Sequence, residues 1–202
     1  EEWKKFPNIS EEFKKIGEPC NTCPACEAVN TNLAFDVIEI DAASNRGIDE
    51  MRDLKENART APSQLKRKVF IIDEAHMLTK EAGNALLKIL EEPPSHVTII
   101  LATTELEKIP PTVASRAQHF QMKRAPLKEI INKLKKIASA EKIKISEDAI
   151  DLIASSADGS FRDAESLLDQ MASLTSSAIT TEAIESILGK IGFSRVSELA
   201  EK

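Results

Sequence analysis

Two adjacent carboxylates follow an apolar segment of this sequence. Residues 69–72 (VFII) are β-preferring, and Asp73 and Glu74 come directly after them. Such a run is typical of a parallel strand buried on both faces, and ligands bind open α/β sheets at the carboxyl ends of these strands. In nucleotide hydrolases an Asp at this place helps to hold Mg²⁺, and a neighbouring Glu orients the attacking water. On the residues alone, the alternative remains that Asp73 caps a turn and Glu74 is solvated.

Further polar residues lie where predicted elements begin or end. A threonine pair at 103–104 follows another predicted strand, and its hydroxyls could reach a water or a terminal phosphate. Arg116 and Arg162 are lone arginines near element boundaries, and guanidinium groups can neutralise phosphate charge in a transition state. The alternative for each is a surface ion pair, which for Arg162 could involve Asp158 or Glu165.

All three cysteines of the chain are clustered, at Cys20, Cys23 and Cys26. This spacing predicts a metal site in a reducing compartment, not a disulfide framework. Structural zinc prefers four ligands in a tetrahedron, so one ligand must come from elsewhere. An iron–sulfur cluster is less well supported because residues 27–30 supply no fourth cysteine, and three free thiols fit poorly with the polar, turn-rich surroundings.

Composition excludes several classes of protein. The 202 residues contain 27 Lys and Arg against 33 Asp and Glu, a net charge of −6, and no apolar run or leader indicates a membrane span or secretory signal. Aromatic residues make up 4% and tyrosine is absent, which counts against binding of single strands by base stacking. The chain begins with Glu1, so we expect it to be a piece of a longer polypeptide.

Alternating strands and helices must position these residues. This order predicts a parallel sheet covered by helices, and after residue 124 only helices are predicted, which places a domain boundary there. The predicted strands are 35–40, 69–72, 97–102 and, more weakly, 117–122; the predicted helices are 47–59, 79–90 with Thr79 as N-cap, 127–138, and three that open at Ser146, Ser160 and Thr180.

From about residue 17 to 189, the sequence resembles the tau/gamma family of bacterial DNA polymerase III clamp-loader subunits, which are AAA+ ATPases. The most specific stretch is NALLKILEEPP at 84–94. The other matching segments, in family order, are VIEIDAAS at 37–44, IDEAHML at 72–78, LATT at 101–104, SR at 115–116 and GSFRD at 159–163.

The resemblance implies a role for each candidate residue. Asp73 would bind Mg²⁺ and Glu74 would polarise water. Thr104 would be the first sensor of ATP, and Arg162 the second sensor on a helical lid. Arg116 would be the arginine finger, which in this family acts on ATP held by the neighbouring subunit. The cysteines would hold Zn²⁺, with the family's fourth cysteine upstream.

The resemblance also implies an architecture and partners. Residues 1–123 would form a partial AAA+ P-loop NTPase-type α/β domain without its first strand and phosphate loop, with a zinc module inserted at about 17–32. Residues 124–190 would form an all-α lid, and 191–202 would begin a C-terminal collar domain. The partners would be the delta and delta-prime subunits, further tau/gamma copies, the sliding clamp and primed DNA, in a cytoplasmic hetero-oligomeric ring that belongs to a DNA polymerase holoenzyme.

Three departures limit what the resemblance implies. No Gly-x-x-x-x-Gly-Lys-Ser/Thr phosphate loop occurs in these residues, Ala117 stands where the family has a cysteine after the finger arginine, and three of four zinc cysteines are present. We therefore expect that the chain alone does not hydrolyse ATP.

Two other functions remain open. A non-hydrolysing scaffold like the delta-prime subunit would share the zinc module and the finger arginine, and residues 73–76 (DEAH) also have the letters of a helicase box. DNA contacts are expected at Arg46, Arg52 and Arg59, although interleaved acidic residues make a solvated helix face an equal alternative.

Overall fold

The structure is a computed structural model that describes residues 19–45, 47–174 and 178–188. The chain divides into two compact units between Phe120 and Gln121, where the sequence predicted a boundary near 124. The predictions for residues 1–18, Arg46 and 191–202 lie outside the described residues.

The first unit is built on a three-stranded parallel sheet. Its strands are β1 (Val37–Asp41), β2 (Lys68–Asp73) and β3 (Val97–Leu101), in the order β1-β2-β3. Ile40, Ile72 and Leu101 share one register, so the three strands end close to the same edge. Phe70 and Ile72 of the central strand are fully buried, as the continuous apolar run predicted. The predicted α/β fold with a parallel sheet is confirmed.

Helices connect the strands and complete the core of this unit. Met51, Leu86 and Val97 pack in one buried cluster with the central strand. The Thr79 hydroxyl accepts a 3.2 Å hydrogen bond from the Ala82 N–H, which is the predicted N-cap. The α-helices of this unit are α1 (Pro24–Asn30), α2 (Ile48–Ala58), α3 (Lys80–Glu91) and α4 (Pro111–Ala114), with 3-10 turns at Ala75–Met77 and Leu106–Lys108.

The predicted strand at 117–122 is wrong. Within the described ranges these residues join no ladder, and Phe120 and Met122 are 73% and 87% exposed. A strand exists only where a neighbouring strand supplies hydrogen bonds, and β3 has only β2 as its partner in the described sheet. The first strand is also two residues shorter at its start than predicted, because Phe35 and Asp36 lie in a turn closed by the Val37 N–H on the Ala34 carbonyl at 3.0 Å.

Two buried charges brace the amino-terminal end of the sheet. The Asp36 carboxylate accepts hydrogen bonds from the backbone N–H groups of residues 63–65, at 2.6 to 3.0 Å. The Lys68 ammonium donates to the Asn57 carbonyl at 3.1 Å, to Asn57 Oδ1 at 2.9 Å and to Thr60 Oγ1 at 2.6 Å. Lys68 thereby caps the carboxyl end of α2, where a cation is favourable.

The second unit is helical in its described part, as predicted. Large apolar side chains from several helices form its core, among them Leu134, Ile153, Leu168 and Met171. None of the helices in the described residues is long and apolar enough to cross a membrane. The helices are α5 (Leu127–Ala140), α6 (Glu147–Ser156), α7 (Phe161–Leu174) and α8 (Thr181–Leu188).

Candidate active site

The predicted acidic pair lies at the carboxyl edge of the sheet. Asp73 is the exposed last residue of β2, and its Oδ1 accepts a 2.9 Å hydrogen bond from the Glu74 N–H. In the parallel register Asp73 pairs with Asp41, the last residue of β1. Two neighbouring strands therefore end in carboxylates at one edge, and carboxylate oxygens are ligands that Mg²⁺ accepts.

The sequence did not single out Asp41. Its carboxylate is hydrogen-bonded within the turn that follows β1. It accepts hydrogen bonds from the Ser44 hydroxyl at 2.7 Å and the Ala43 N–H at 2.8 Å. These two contacts, the hydroxyl first, hold the pKa of Asp41 below its usual value. Asp41 therefore stays ionised and adds negative charge beside Asp73.

Glu74 has an unusual backbone conformation. Its φ of 48° and ψ of 42° are left-handed, which costs a residue with a side chain roughly 1 kcal/mol or more. The conformation turns the chain from β2 into the 3-10 turn Ala75–Met77. The buried Oε2 atom of Glu74 has no hydrogen-bond partner among the described residues.

His76 lies between the segments that follow β2 and β3. Its Nδ1 is 3.3 Å from Glu74 Oε2 and 3.0 Å from Thr103 Oγ1, and its Nε2 is 3.5 Å from Glu105 Oε1. These partners could not be read from a local pattern, because two of them follow β3, 27 and more residues away.

The threonine pair after β3 has two different environments. Thr103 Oγ1 contacts His76 and accepts a 3.0 Å hydrogen bond from the Glu105 N–H. Thr104 is exposed, and its hydroxyl makes no hydrogen bond within the described part of the chain. Thr104 is therefore the member of the pair that is available to a ligand.

Arg116 is held by an acidic residue that the sequence reasoning missed. Its Nε and Nη2 donate to Glu91 Oε1 at 2.9 and 2.7 Å, and its Nη1 donates to the Thr112 carbonyl at 2.6 Å. Glu91 is the last residue of α3, within the stretch NALLKILEEPP. The side chain of Arg116 is 34% exposed, so an ion pair and access to solvent coexist.

Arg162 has no ion-pair partner among the described residues. The two carboxylates considered as partners are engaged elsewhere, because Asp158 pairs with Arg124, and Glu165 lies 3.5 Å from Lys133. Arg162 is exposed in the first turn of α7, where a cation opposes the helix dipole. The ion-pair alternative for Arg162 is therefore not observed.

The structure thus gathers some of the predicted residues and leaves others apart. Asp73 ends β2 and Glu74 follows it, and the threonine pair at 103–104 follows the adjacent strand β3 of the first unit. Arg116 belongs to the same unit, whereas Arg162 belongs to the second. Two of the candidate DNA contacts form exposed ion pairs, namely Arg52 in α2 with Asp49 and Arg59, which follows α2, with Glu56.

The three cysteines converge in space. Their sulfur atoms lie within 4.8 Å of one another, and the Sγ atoms of Cys20 and Cys26 are 3.7 Å apart. Zinc–sulfur bonds of about 2.3 Å in a tetrahedron require sulfur atoms about 3.8 Å apart. The Thr22 backbone N–H is the largest cause that lowers the pKa of Cys20 to about 6, whereas burial raises the pKa of Cys26. The donor set therefore fits three of the four ligands of a structural zinc ion.

Comparisons with known proteins give a consistent family. A family profile described as "DNA polymerase III, delta subunit" matches residues 8–126, and one described as "DNA polymerase III clamp loader subunit, ATPase lid domain" matches residues 129–177. The chain is 47% identical over 190 residues to DNA polymerase III subunit tau of Bacillus subtilis, covering 94% of this chain and 34% of that protein. It is 40% identical over 183 residues to DNA polymerase III subunit tau of Escherichia coli, covering 91% and 28%.

Among solved structures, the RuvB Holliday junction branch migration motor of Thermotoga maritima resembles this chain with a TM-score of 0.63. The match covers 91% of this chain and 66% of that one at 21% identity, so it shows the fold alone. The parallel sheet and the helical unit are accordingly those of an AAA+ ATPase fold. The chain belongs to the DNA polymerase III clamp-loader subunit family, and it spans about a third or less of the length of the two tau subunits compared.

Proposed function

We propose that this chain is part of an ATPase subunit of a bacterial DNA polymerase III clamp loader, which uses ATP to load the sliding clamp onto primed DNA. The observation that carries the proposal is the acidic edge of the sheet. Asp73 ends the central strand and Glu74 follows it, and the exposed Thr104 lies in the segment that follows the neighbouring strand. Carboxylates facing a phosphate site are of use only where a magnesium nucleotide binds.

Each residue then has a distinct task. Asp73 would hold Mg²⁺, and the ion would supply positive charge to the phosphates of ATP. Glu74 accepts a proton from the attacking water or orients it, and Thr104 donates its hydroxyl to the terminal phosphate or to that water. Arg162, a cation without an ion pair in the described residues, supplies positive charge from the helical unit.

Arg116 acts on the ATP of a neighbouring subunit. The side chain of Arg116 is partly exposed, so its guanidinium group is accessible. Hydrogen bonds to Glu91 hold this group at the surface of the first unit. A finger of this kind requires a neighbour, so we place the subunit in a cytoplasmic hetero-oligomeric ring. That ring contains delta, delta-prime and further tau/gamma copies, acts on the clamp and primed DNA, and forms part of the polymerase holoenzyme.

The zinc site has a structural role in this proposal. A zinc ion held by Cys20, Cys23 and Cys26, with one ligand from outside the cluster, would fasten α1 to the loop before it. Structural zinc sites are closed by four protein ligands and do not activate water. Zinc therefore takes no part in ATP hydrolysis.

The 202 residues alone do not hydrolyse ATP in this proposal. They contain no phosphate loop, whose backbone N–H groups and lysine would otherwise cradle the phosphates. Tests of activity therefore need a longer polypeptide that also carries this loop.

The direct test is clamp loading by that longer polypeptide, assembled with its partner subunits. We expect ATP hydrolysis to rise when both clamp and primed circular DNA are added, and clamps to appear on the DNA only with ATP. An assembled complex that loads clamps equally well without hydrolysis by this subunit would contradict the proposal.

That contrary result would favour a scaffold subunit as the second candidate function. One specific observation supports this alternative, since the profile matched by residues 8–126 is described by the delta subunit. In such a subunit Arg116 would still serve a neighbour's site, whereas Asp73 and Glu74 would be dispensable. Hydrolysis at this subunit's own site separates the two functions.

A further inference from the structure

The environment of one Glu74 carboxylate oxygen is not explained by the expected role of this residue. Its Oε2 atom is buried, yet no described residue gives it a hydrogen bond. Buried polar atoms are nearly always hydrogen-bonded in folded proteins, and an unsatisfied carboxylate oxygen is unfavourable. A nearby donor that now bonds another group, but could turn to Glu74 Oε2, would explain why this buried oxygen lacks a partner here.

His76 is the group placed to be that donor. Its imidazole side chain is 9% exposed, and its Nδ1 atom is 3.3 Å from Glu74 Oε2. The same Nδ1 atom is closer, 3.0 Å, to Thr103 Oγ1. One ring nitrogen carries at most one proton, so Glu74 and Thr103 compete for it.

The opposite side of the ring is anchored by two charged residues. The Nε2 atom lies 3.5 Å from Glu105 Oε1, and Lys108 Nζ lies 2.6 Å from Glu105 Oε2. The Lys108 hydrogen bond is the largest cause of the lowered pKa of Glu105, so that carboxylate is ionised and attracts a proton on Nε2. The Glu105 N–H also donates to Thr103 Oγ1 at 3.0 Å, which fixes the hydroxyl that faces Nδ1.

Two hydrogen-bond arrangements follow from these contacts. In the first, Thr103 donates its hydroxyl proton to Nδ1, the ring proton lies on Nε2 toward Glu105, and Glu74 receives nothing. In the second, Nδ1 carries a proton and donates it to Glu74 Oε2. The first arrangement accounts for the unpartnered oxygen in this structure.

We propose that His76 is a positioning residue for Glu74, and that Thr103 competes with Glu74 for its Nδ1 atom. The second arrangement holds the Glu74 carboxylate in place for the attacking water, and the first releases it. Thr103 directly precedes Thr104, so binding of a phosphate by Thr104 would move the Thr103 hydroxyl relative to Nδ1. This inference rests on the proposed function of Glu74 and extends it to a residue that would act through Glu74.

The contact can be tested without ATP in the 202-residue chain by long-range proton–nitrogen NMR of its imidazole rings. The chain has three histidines, His76, His96 and His119, so the His76 signals are those lost in a His76→Asn variant. We expect the Nε2-protonated ring in the wild type. We expect Thr103→Val to shift the His76 ring toward Nδ1 protonation, and the additional change Glu74→Gln to shift its signals again. His76 signals that respond to neither change would overturn the proposal, and the signals of His96 and His119 serve as the control.

The functional arm compares two substitutions in the longer polypeptide that carries a phosphate loop, assembled with its partner subunits. His76→Leu keeps the volume but removes the donor, and we expect kcat to fall by about 10- to 100-fold with little change in the KM for ATP. His76→Asn keeps an amide where Nδ1 was and should restore most of that loss. Equal kcat values for the two variants, or a loss confined to KM, would overturn the positioning role.

The two arms separate this inference from the proposed function. A wild-type complex that hydrolyses no ATP would overturn the proposed function, whatever the NMR result. Active wild type with unresponsive His76 signals would overturn only the inference about His76.

Discussion

At the scale of single residues, the chemistry of this chain depends on which polar groups have partners. Asp41 is occupied by its own turn and Arg116 by Glu91, whereas Thr104 and Arg162 make no side-chain bond in the described ranges. Groups without partners are those that a ligand can use without breaking an existing bond. In the proposed function, ATP would be sensed by Thr104, in the segment after β3, and by Arg162, in the first turn of α7.

The cysteine cluster gives a prediction about metal binding. The purified 202-residue chain should bind one equivalent of Zn²⁺ or Co²⁺, and Co²⁺ should show thiolate absorption that can only come from the three clustered cysteines. Because the pKa of Cys20 is lowered to about 6, its thiolate persists at neutral pH, and metal binding should weaken below about pH 6. Cys23→Ser should abolish the absorption, and a Cys23→Ser chain that keeps full metal content would contradict the assignment.

Asp36 gives a prediction about stability and pH. Burial alone would raise its pKa, but the N–H groups of Leu65, Gln64 and Ser63 outweigh burial and lower it. Because the pKa of Asp36 is lower in the folded state, its ionised carboxylate stabilises the fold. This contribution is complete above the pKa in the unfolded state, about 4, and is lost as the pH falls through the pKa in the folded state. Asp36→Asn should therefore lower the free energy of unfolding by about 2 kcal/mol at pH 7, and by less in acid.

Urea unfolding at neutral and acidic pH measures this effect. Asp49→Asn is the matched control, because the ion pair of Asp49 with Arg52 is exposed, and such pairs contribute little. An Asp36→Asn chain with the same difference from the wild type at every pH would contradict the explanation.

At the scale of elements, the sequence predicts features that depend on neighbouring residues and misses contacts between residues far apart in the chain. The apolar run before Asp73 and the cap at Thr79 were predicted because each depends on neighbouring residues. The strand at 117–122 failed because its apolar pattern does not supply a pairing partner, which a strand needs. The contacts of His76 with Thr103 and of Glu91 with Arg116 span 27 and 25 residues, so only the fold brings them together.

Two glycines, one inside a helix and one in the turn before α7, give opposite predictions. Gly83 lies inside α3, and a Cβ there would meet Pro110 Cγ at 3.8 Å, an ordinary contact. Gly83→Ala should therefore stabilise the chain by up to about 1 kcal/mol, because alanine has the higher helix propensity. Gly159 has a φ of +85°, and its Cβ would lie 2.6 Å from Arg124 Cβ. Gly159→Ala should destabilise the chain by more than about 1 kcal/mol.

Thermal unfolding of the two variants beside the wild type decides this comparison. Both variants carry the same Gly→Ala substitution. A stability change of opposite sign at the two positions therefore reports the backbone conformation and the space around each glycine. Equal effects on Tm at the two positions would show that the left-handed turn before α7 is not required.

At the scale of the whole molecule, the candidate residues are shared between two units and, in the proposed function, between subunits. Asp73, Glu74 and Thr104 belong to the first unit and Arg162 to the second, while Arg116 would serve a neighbour. In the proposed function, Arg116 can act only when a neighbouring subunit is present, so we expect ATP hydrolysis to depend on assembly with the partner subunits.

In the proposed function, Glu74 acts in ATP hydrolysis at its own subunit's nucleotide site. The measurement that tests it most directly compares Mg²⁺-ATP binding and single-turnover hydrolysis by the wild type and Glu74→Gln, in the longer polypeptide assembled with its partners. We predict near-normal ATP affinity and a rate of hydrolysis lowered by roughly 10²- to 10⁴-fold, because glutamine is isosteric but cannot accept the proton. Hydrolysis at the wild-type rate by Glu74→Gln would contradict the account.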